Sequence, residues 1–103
     1  MPISNSPWNG AASRFADANA YCKSCLIDEN EGEKVIAKCK LPVKEPSGAV
    51  NRNAVHAAAA ALAGGRGGVN ASPASKKSAA KKLVRLYGEI GDEVPDSIKR
   101  MAG

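Results

Sequence analysis

Residues 40–69 contain the strongest structural signals of this chain: KLPV at 40–43, PSGAVN at 46–51, five alanines at 57–61 and GGRGGV at 64–69. The first run is typical of a strand, the PSG turn ends it, and the alanines predict a helix. Asn51 is a suitable N-cap for that helix, and Gly64 a suitable left-handed residue at its end. This stretch carries no obvious reactive group, which favours packing or docking over catalysis.

Two amphipathic helices are predicted in the second half of the chain. The alanine helix should span 52–63 and bury a stripe of Val55, Ala58, Ala59 and Leu62. The next helix should begin at Ser72 and Pro73, reach about Tyr87 and end at Gly88 and Gly91. Its apolar side is predicted to contain Ala79, Ala80, Leu83, Val84, Leu86 and Tyr87. A last short helix after Pro95 should bring Ile98 and Met101 back onto the core.

The first half of the chain is predicted to be less regular. Residues 1–12 mix proline, serine, asparagine and glycine, which is typical of a flexible N-terminal arm. Ser13 could cap a short helix through Cys22. The alternation over 34–43 predicts a strand that pairs with 25–27 across an acidic turn, with Val35, Ala37, Cys39 and Leu41 on its buried face. We therefore expect a single α+β domain over 13–103, mostly helical, with a short β ribbon or hairpin and three to four helices.

Length and charge limit the classes of function. The chain has 103 residues, a formal net charge of +5 and four aromatic residues, so it should form one small domain with a thin core. The positive charge favours an acidic partner, either nucleic acid or an anionic protein surface. No segment approaches the length of a membrane span, and the first residues do not form a secretory signal. We expect no membrane partner and synthesis in the cytoplasm.

The cysteines and the single histidine allow several interpretations. An odd number of cysteines in a chain without export features argues against a disulfide framework. Cys22 and Cys25 have the spacing of a zinc knuckle, which Cys39 and His56 could complete. Free cysteines that pack as small hydrophobic residues explain the pattern equally well. His56 is interpreted as a residue on the helix surface, because no nucleophile or carboxylate is near it in sequence.

Two basic features and one tryptophan are candidate contacts. Arg66 is the one long side chain in the glycine loop and could dock a partner or simply lie in a connection. Trp8 could either fold onto its own domain or anchor to a partner. The helix after Ser72 has a basic face that could follow phosphates or be an ordinary solvated surface. This face consists of Lys76, Lys77, Lys81, Lys82 and Arg85.

Taken together, the KLP and PSGAVN runs, the alanine helix, GGRGGV and LVRLY at 83–87 resemble a small domain found in tailed bacteriophages. That domain is associated with prohead proteases and other head-maturation proteins, and it also occurs as a small stand-alone phage protein. The resemblance covers about residues 8–101. It implies a head-associated adaptor in the virion, and it implies no catalytic residue, because the catalytic domain of the protease is missing.

These observations lead to a primary and an alternative expectation. The first is a noncatalytic structural protein of the phage head, without a cofactor, that binds the capsid shell or its assembly proteins through Trp8, Arg66, Lys77, Lys81 and Arg85. The alternative is a small basic nucleic-acid-binding protein that acts through the 76–85 helix face. Zinc binding by Cys22, Cys25, Cys39 and His56 is a third possibility.

Overall fold

Four α-helices and two pairs of short strands are present in residues 3–64 and 68–103, the part of the chain that this computed structural model describes. The helices are α1 (Ala18–Ser24), α2 (Arg52–Leu62), α3 (Pro73–Ile90) and α4 (Asp96–Ala102). The strands are β1 (Ile3–Ser4), β2 (Cys25–Asp28), β3 (Cys39–Pro42) and β4 (Val50–Asn51). The predicted α+β class with a short ribbon is confirmed.

The strands form two separate pairs. β2 and β3 are antiparallel, with Ile27 opposite Lys40, and this pair is the predicted ribbon. β1 runs parallel to β4, with Ile3 opposite Val50. The second pair was not predicted, because two-residue strands have no sequence periodicity and depend on contacts between distant parts of the chain.

The helix α2 follows the sequence closely. The Asn51 side chain accepts a hydrogen bond from the Ala54 amide at 2.9 Å, so the predicted N-cap is confirmed. The predicted buried stripe is also confirmed, and Ala54 joins it. The helix ends at Leu62, and Gly64 has the left-handed φ of 111° that a residue with a Cβ rarely adopts.

The helix α3 starts as predicted but is longer. Ser72 accepts a hydrogen bond from the Ser75 amide at 3.1 Å, and Pro73 occupies the first turn. The helix continues through Gly88 to Ile90, and Gly91 ends it with a φ of 77°. The prediction that Gly88 ends the helix was therefore wrong: apolar packing of Ile90 continues the helix past one unfavourable residue.

The end of the chain packs on α3. Ile98 of α4 is fully buried, and Met101 packs against the same core, as predicted. Val84 was predicted on the buried side of α3 but is 37% exposed. The buried stripe of α3 is narrower than predicted and does not include this position. Within residues 3–64 and 68–103, no helix combines the length and the apolar character that crossing a bilayer requires.

Residues 3–12, predicted to form a flexible arm, make several contacts with the rest of the domain. Besides the β1 pairing, the side-chain amides of Asn51 and Asn53 donate hydrogen bonds to the Ser6 carbonyl at 3.0 and 2.9 Å. Trp8 packs over a cavity of about 150 Å³, which it shares with Leu41, Pro42 and three alanines of α2. The small alanine side chains leave room for the indole ring, and this long-range fit cannot be read from the composition of the segment.

The region before α1 also differs from the prediction. Ala12–Arg14 forms a 3-10 turn, and α1 starts only at Ala18. Asp17 is the N-cap, and its carboxylate accepts a hydrogen bond from the Ala20 amide at 2.8 Å. Phe15 precedes the helix and packs edge to face on Tyr21, with 5.4 Å between the ring centroids. Asp17 displaces Ser13 as the cap because it lies next to the residues that form the helix.

The predicted strand over 34–43 is wrong in its first half. Ile36–Lys38 forms a 3-10 turn, Val35 and Ile36 are 51% and 44% exposed, and β3 begins only at Cys39. The side chain of Asn30 explains the difference, because it accepts from the Val35 amide at 2.9 Å and donates to the Val35 carbonyl at 3.3 Å. These bonds take the place of ladder pairing for Val35.

The carboxylate of Glu45 connects three parts of the molecule. It accepts hydrogen bonds from Arg14 at 2.7 Å, from the Asn51 amide at 2.9 Å and from the Ser4 hydroxyl at 3.3 Å. Its side chain is only 12% exposed. The hydrogen bond from Arg14, followed by that from Asn51, holds the pKa of Glu45 below its usual value. The group therefore stabilises the N-terminal segment as an anion.

We expect Glu45→Gln to lower the free energy of unfolding by about 1–3 kcal/mol at pH 7, because charge-assisted hydrogen bonds are lost. Since the folded pKa is lowered, this contribution is present above the unfolded pKa and is lost as the pH falls through the folded value. Urea unfolding of both proteins at pH 7 and pH 3 tests this. The difference in unfolding free energy between the wild type and Glu45→Gln should be smaller at pH 3 than at pH 7. The control Glu33→Gln should unfold like the wild type at pH 7. If the difference between the wild type and Glu45→Gln is the same at both pH values, the charge of the Glu45 carboxylate does not stabilise the fold.

Candidate binding groove

A groove with a volume of about 330 Å³ lies between the start of β2 and the second half of α3. Its apolar lining comes from Leu26 on β2, Val43 after β3 and Leu86 on α3. All three residues belong to the main core or its border, so the floor of the groove is held by packing. This groove offers a fixed apolar surface with room for one or two side chains of a ligand.

The rim of the groove is strongly basic. Lys23 comes from the end of α1, Lys44 follows β3, and Lys82 and Arg85 come from α3. Glu89 is the one acidic residue of the lining, and none of the four cations forms an ion pair within residues 3–64 and 68–103. The excess positive charge makes the groove attractive to an anionic ligand.

Lys82 is held in place by the ribbon. Its Nζ atom donates a hydrogen bond to the Leu26 carbonyl at 3.1 Å. An ammonium group has three donors, so two are left for a ligand in the groove. Arg85 lies three positions further along α3 and therefore on the same side of the helix. The pair presents two positive groups along one wall.

Cys25 lines the groove but is a poor nucleophile. Burial raises the pKa of the Cys25 thiol to about 11. Burial, together with the nearby Cys25, raises the pKa of Tyr21 to about 12. At neutral pH the thiol stays protonated, and only the thiolate is strongly nucleophilic. Cys25 therefore contributes to the shape of the groove, and its thiol is protonated at neutral pH.

Cys22 and Cys39 form a disulfide that the sequence argument did not anticipate. Their Cα atoms are 5.4 Å apart, and the bond joins α1 to the start of β3. Both residues belong to a small second core with Phe15 and Tyr21. The odd cysteine count misled the prediction, because Cys25 is the unpaired residue and faces the groove.

The structure does not bring the predicted zinc ligands together. Cys22 and Cys39 are bonded to each other, Cys25 lies in the groove, and His56 is on α2. Atoms of Cys22, Cys39 and Asp28 that could ligate a metal lie within 4.8 Å of one another. The disulfide uses both sulfurs, and a thiolate is the form of cysteine that binds zinc. The oxidised pair therefore does not fit a zinc site.

His56 lies on the helix surface, as predicted, and joins two helices. Its Nε2 atom is 2.8 Å from the Asp92 carboxylate, and its Nδ1 atom is 3.4 Å from the Tyr87 hydroxyl. Arg52 donates a hydrogen bond to the Ile90 carbonyl at 2.7 Å. These contacts fasten α2 to the end of α3. Burial, followed by the charge of Asp92, raises the pKa of the Tyr87 hydroxyl, which keeps it neutral.

The acidic turn is more structured than predicted. Asp28 pairs with Lys34, and this contact is the main cause of an Asp28 pKa lowered to about 2. Glu29 accepts from the Ser72 amide at 3.2 Å and from the Ser75 hydroxyl at 3.0 Å, at the start of α3. The Ser72 hydrogen bond is the main cause of the lowered Glu29 pKa. Of the four acids predicted to form a solvated turn, only Glu31 and Glu33 are exposed and have no partner among the described residues.

The predicted contact residues occupy three different places. Arg85 lies in the groove, while Lys77 and Lys81 are exposed on α3 outside it. Trp8 is half-buried against its own domain, and its role as an anchor to a partner stays a prediction. Arg66 lies outside the described residues. Lys23 and Lys44 were missed, because nothing in the local sequence indicates that α1 and the end of the ribbon meet α3.

Comparisons with known proteins give no relative for this chain. No protein-family model, no curated protein and no solved structure matches it.

We expect reduction of the Cys22–Cys39 bond to lower the free energy of unfolding by roughly 3 kcal/mol, because the bond closes a loop between residues 17 positions apart. Thermal unfolding with and without a phosphine reductant measures the loss. Cys25→Ser is the control and should respond to the reductant as the wild type does. Thiol labelling of the denatured, unreduced protein should find one free cysteine, and three would contradict the bond.

Proposed function

We propose that this protein is a noncatalytic binding module whose basic groove takes up an acidic segment of a partner protein. The observation that carries the proposal is the convergence of four cations from three parts of the chain around an apolar floor, with Glu89 as the single opposing charge. Such an arrangement suits a peptide that presents carboxylates beside an apolar side chain. Charge complementarity of this kind speeds encounter and selects the partner.

The partner that we propose is a protein of the phage head, either the shell or its assembly machinery. This part of the proposal draws on the resemblance of residues 8–101 to a small domain of phage head-maturation proteins. It places the chain in the virion after synthesis in the host cytoplasm. For this role the groove offers a contact surface that is built from several residues.

The state of the nucleophilic side chains supports a function without catalysis. The Cys25 thiol is protonated at neutral pH because burial raises its pKa to about 11. His56 has both ring nitrogens engaged between Asp92 and Tyr87. In the structure this imidazole serves to join α2 to the end of α3.

Binding of a fluorescent poly-L-glutamate to the full chain tests the groove. We expect Lys82→Glu with Arg85→Glu to weaken this binding at least tenfold, because two attractive charges become repulsive. Lys99→Glu with Arg100→Glu changes the net charge equally on exposed positions of α4 and should have a much smaller effect. Equal losses in the two variants would mean that only net charge matters.

The phage context is tested by mass spectrometry of purified heads from a phage that encodes the chain.

Nucleic-acid binding through the 76–85 helix face is the second candidate. Lys77, Lys81 and Arg85 are exposed at successive turns of α3, and none has an ion-pair partner among the described residues. A straight row of cations can follow a phosphate backbone.

Retention of a 20-base-pair duplex over a salt series separates this candidate from the first. If the helix face binds DNA, Lys77→Gln with Lys81→Gln should weaken binding and flatten the dependence on salt, because two phosphate contacts are lost. Both residues lie outside the groove, so their substitution should leave poly-L-glutamate binding nearly unchanged. Duplex binding with no salt dependence in the wild type would contradict the second candidate.

A further inference from the structure

We infer that the basic groove also accepts the acidic tip of a second copy of this chain, so that copies associate head to tail. The acidic tip is the segment 29–36, which leaves the end of β2 and leads into the second 3-10 turn. The inference rests on the proposed function, because it assigns a particular acidic segment to the same groove.

The chemistry of the tip complements that of the groove. Glu31 and Glu33 are exposed and form no ion pair within residues 3–64 and 68–103. Lys34, the one cation of the tip, is already paired with Asp28. Val35 and Ile36 follow directly and are two of the large apolar side chains that the domain leaves exposed. The tip therefore offers carboxylates next to apolar side chains, and the groove offers cations around an apolar floor.

The two ends of the tip are held together by Asn30. The side chain of Asn30 donates a hydrogen bond to the Asp28 carboxylate at 2.8 Å and forms hydrogen bonds with both the amide and the carbonyl of Val35. Its amide nitrogen also lies 3.2 Å from the Cys39 sulfur. The Cys22–Cys39 disulfide lies beside the root of the tip. A segment that is ordered before it binds loses less conformational entropy on association.

The tip lies away from the groove of its own molecule. Glu29, at the root of the tip, is bonded to Ser72 and Ser75 at the start of α3. The groove is lined by α3 from Lys82 to Glu89. At 1.5 Å per residue, Ser75 and Lys82 are separated by about 10 Å along the helix axis. Because the tip and the groove are two different surfaces, a contact between them is head to tail and extends into rings or chains.

The contact should be weak and sensitive to salt. One eight-residue tip covers much less surface than the roughly 800 Å² per partner of a standard stable interface. Attraction between exposed charges falls as added salt shortens the Debye length to less than about 10 Å. We therefore expect association at high protein concentration in low salt.

Sedimentation velocity with a charge-swapped pair tests this contact in the full chain. The tip variant carries Glu31→Lys and Glu33→Lys, and the groove variant carries Lys82→Glu and Arg85→Glu. The wild type should associate as its concentration rises at low salt, whereas each variant alone should remain monomeric, because its tip and groove then have the same sign. A mixture of the two variants should associate again, because each tip then meets a groove of opposite charge.

Matched controls and a second measurement make the outcomes distinct. Glu93→Lys with Asp96→Lys changes charge as much as the tip variant does and should leave association intact. Non-reducing gels check that Cys25 does not cross-link the copies. A wild type that stays monomeric, or a mixture that does not associate, overturns the inference. If poly-L-glutamate still binds and depends on Lys82 and Arg85, the proposed function stands alone; if that binding is also absent, both fail.

Discussion

Burial of one side of α3 fixes the positions of α2, α4 and the ribbon. Leu83 and Tyr87 are fully buried, and α2, α4 and the ribbon contact this helix. With few aromatic side chains in the chain, these residues supply much of the apolar volume that the domain can bury. Because the buried side of α3 points to the core, its lysines and Arg85 must face outward or border the ribbon. The basic groove is therefore a direct result of how the core is packed.

Local signals predicted the elements whose ends are set by neighbouring residues. The side chains of Asn51 and Ser72 cap amides three positions later, and Gly64 turns the backbone just after a helix ends. The bounds of α2 and the start of α3 could therefore be located from the sequence. Ile98 and Met101 were also predicted correctly, because a short helix after Pro95 has few apolar positions that can turn to the core. In these places the chain follows its local preferences.

Features that join distant residues could not be predicted in the same way. The N-terminal segment looked mobile by composition, yet its backbone bonds to Asn51 and Asn53 more than 40 positions away. Asn30 removes Val35 from the expected strand through side-chain hydrogen bonds. The groove needs Lys23 and Lys44 beside Lys82, and only the tertiary fold brings them together. The spacing of charged residues along the sequence does not show which other element will lie beside them.

The disulfide between Cys22 and Cys39 affects the covalent continuity of the chain. All residues of the acidic tip lie between the two bonded cysteines. If a protease cuts the exposed peptide near Gly32, the two fragments stay attached through sulfur and keep the mass of one chain plus a water molecule. A gel without reductant would show an intact protein. The cut would become visible only when thiols are added, as two bands of unequal size.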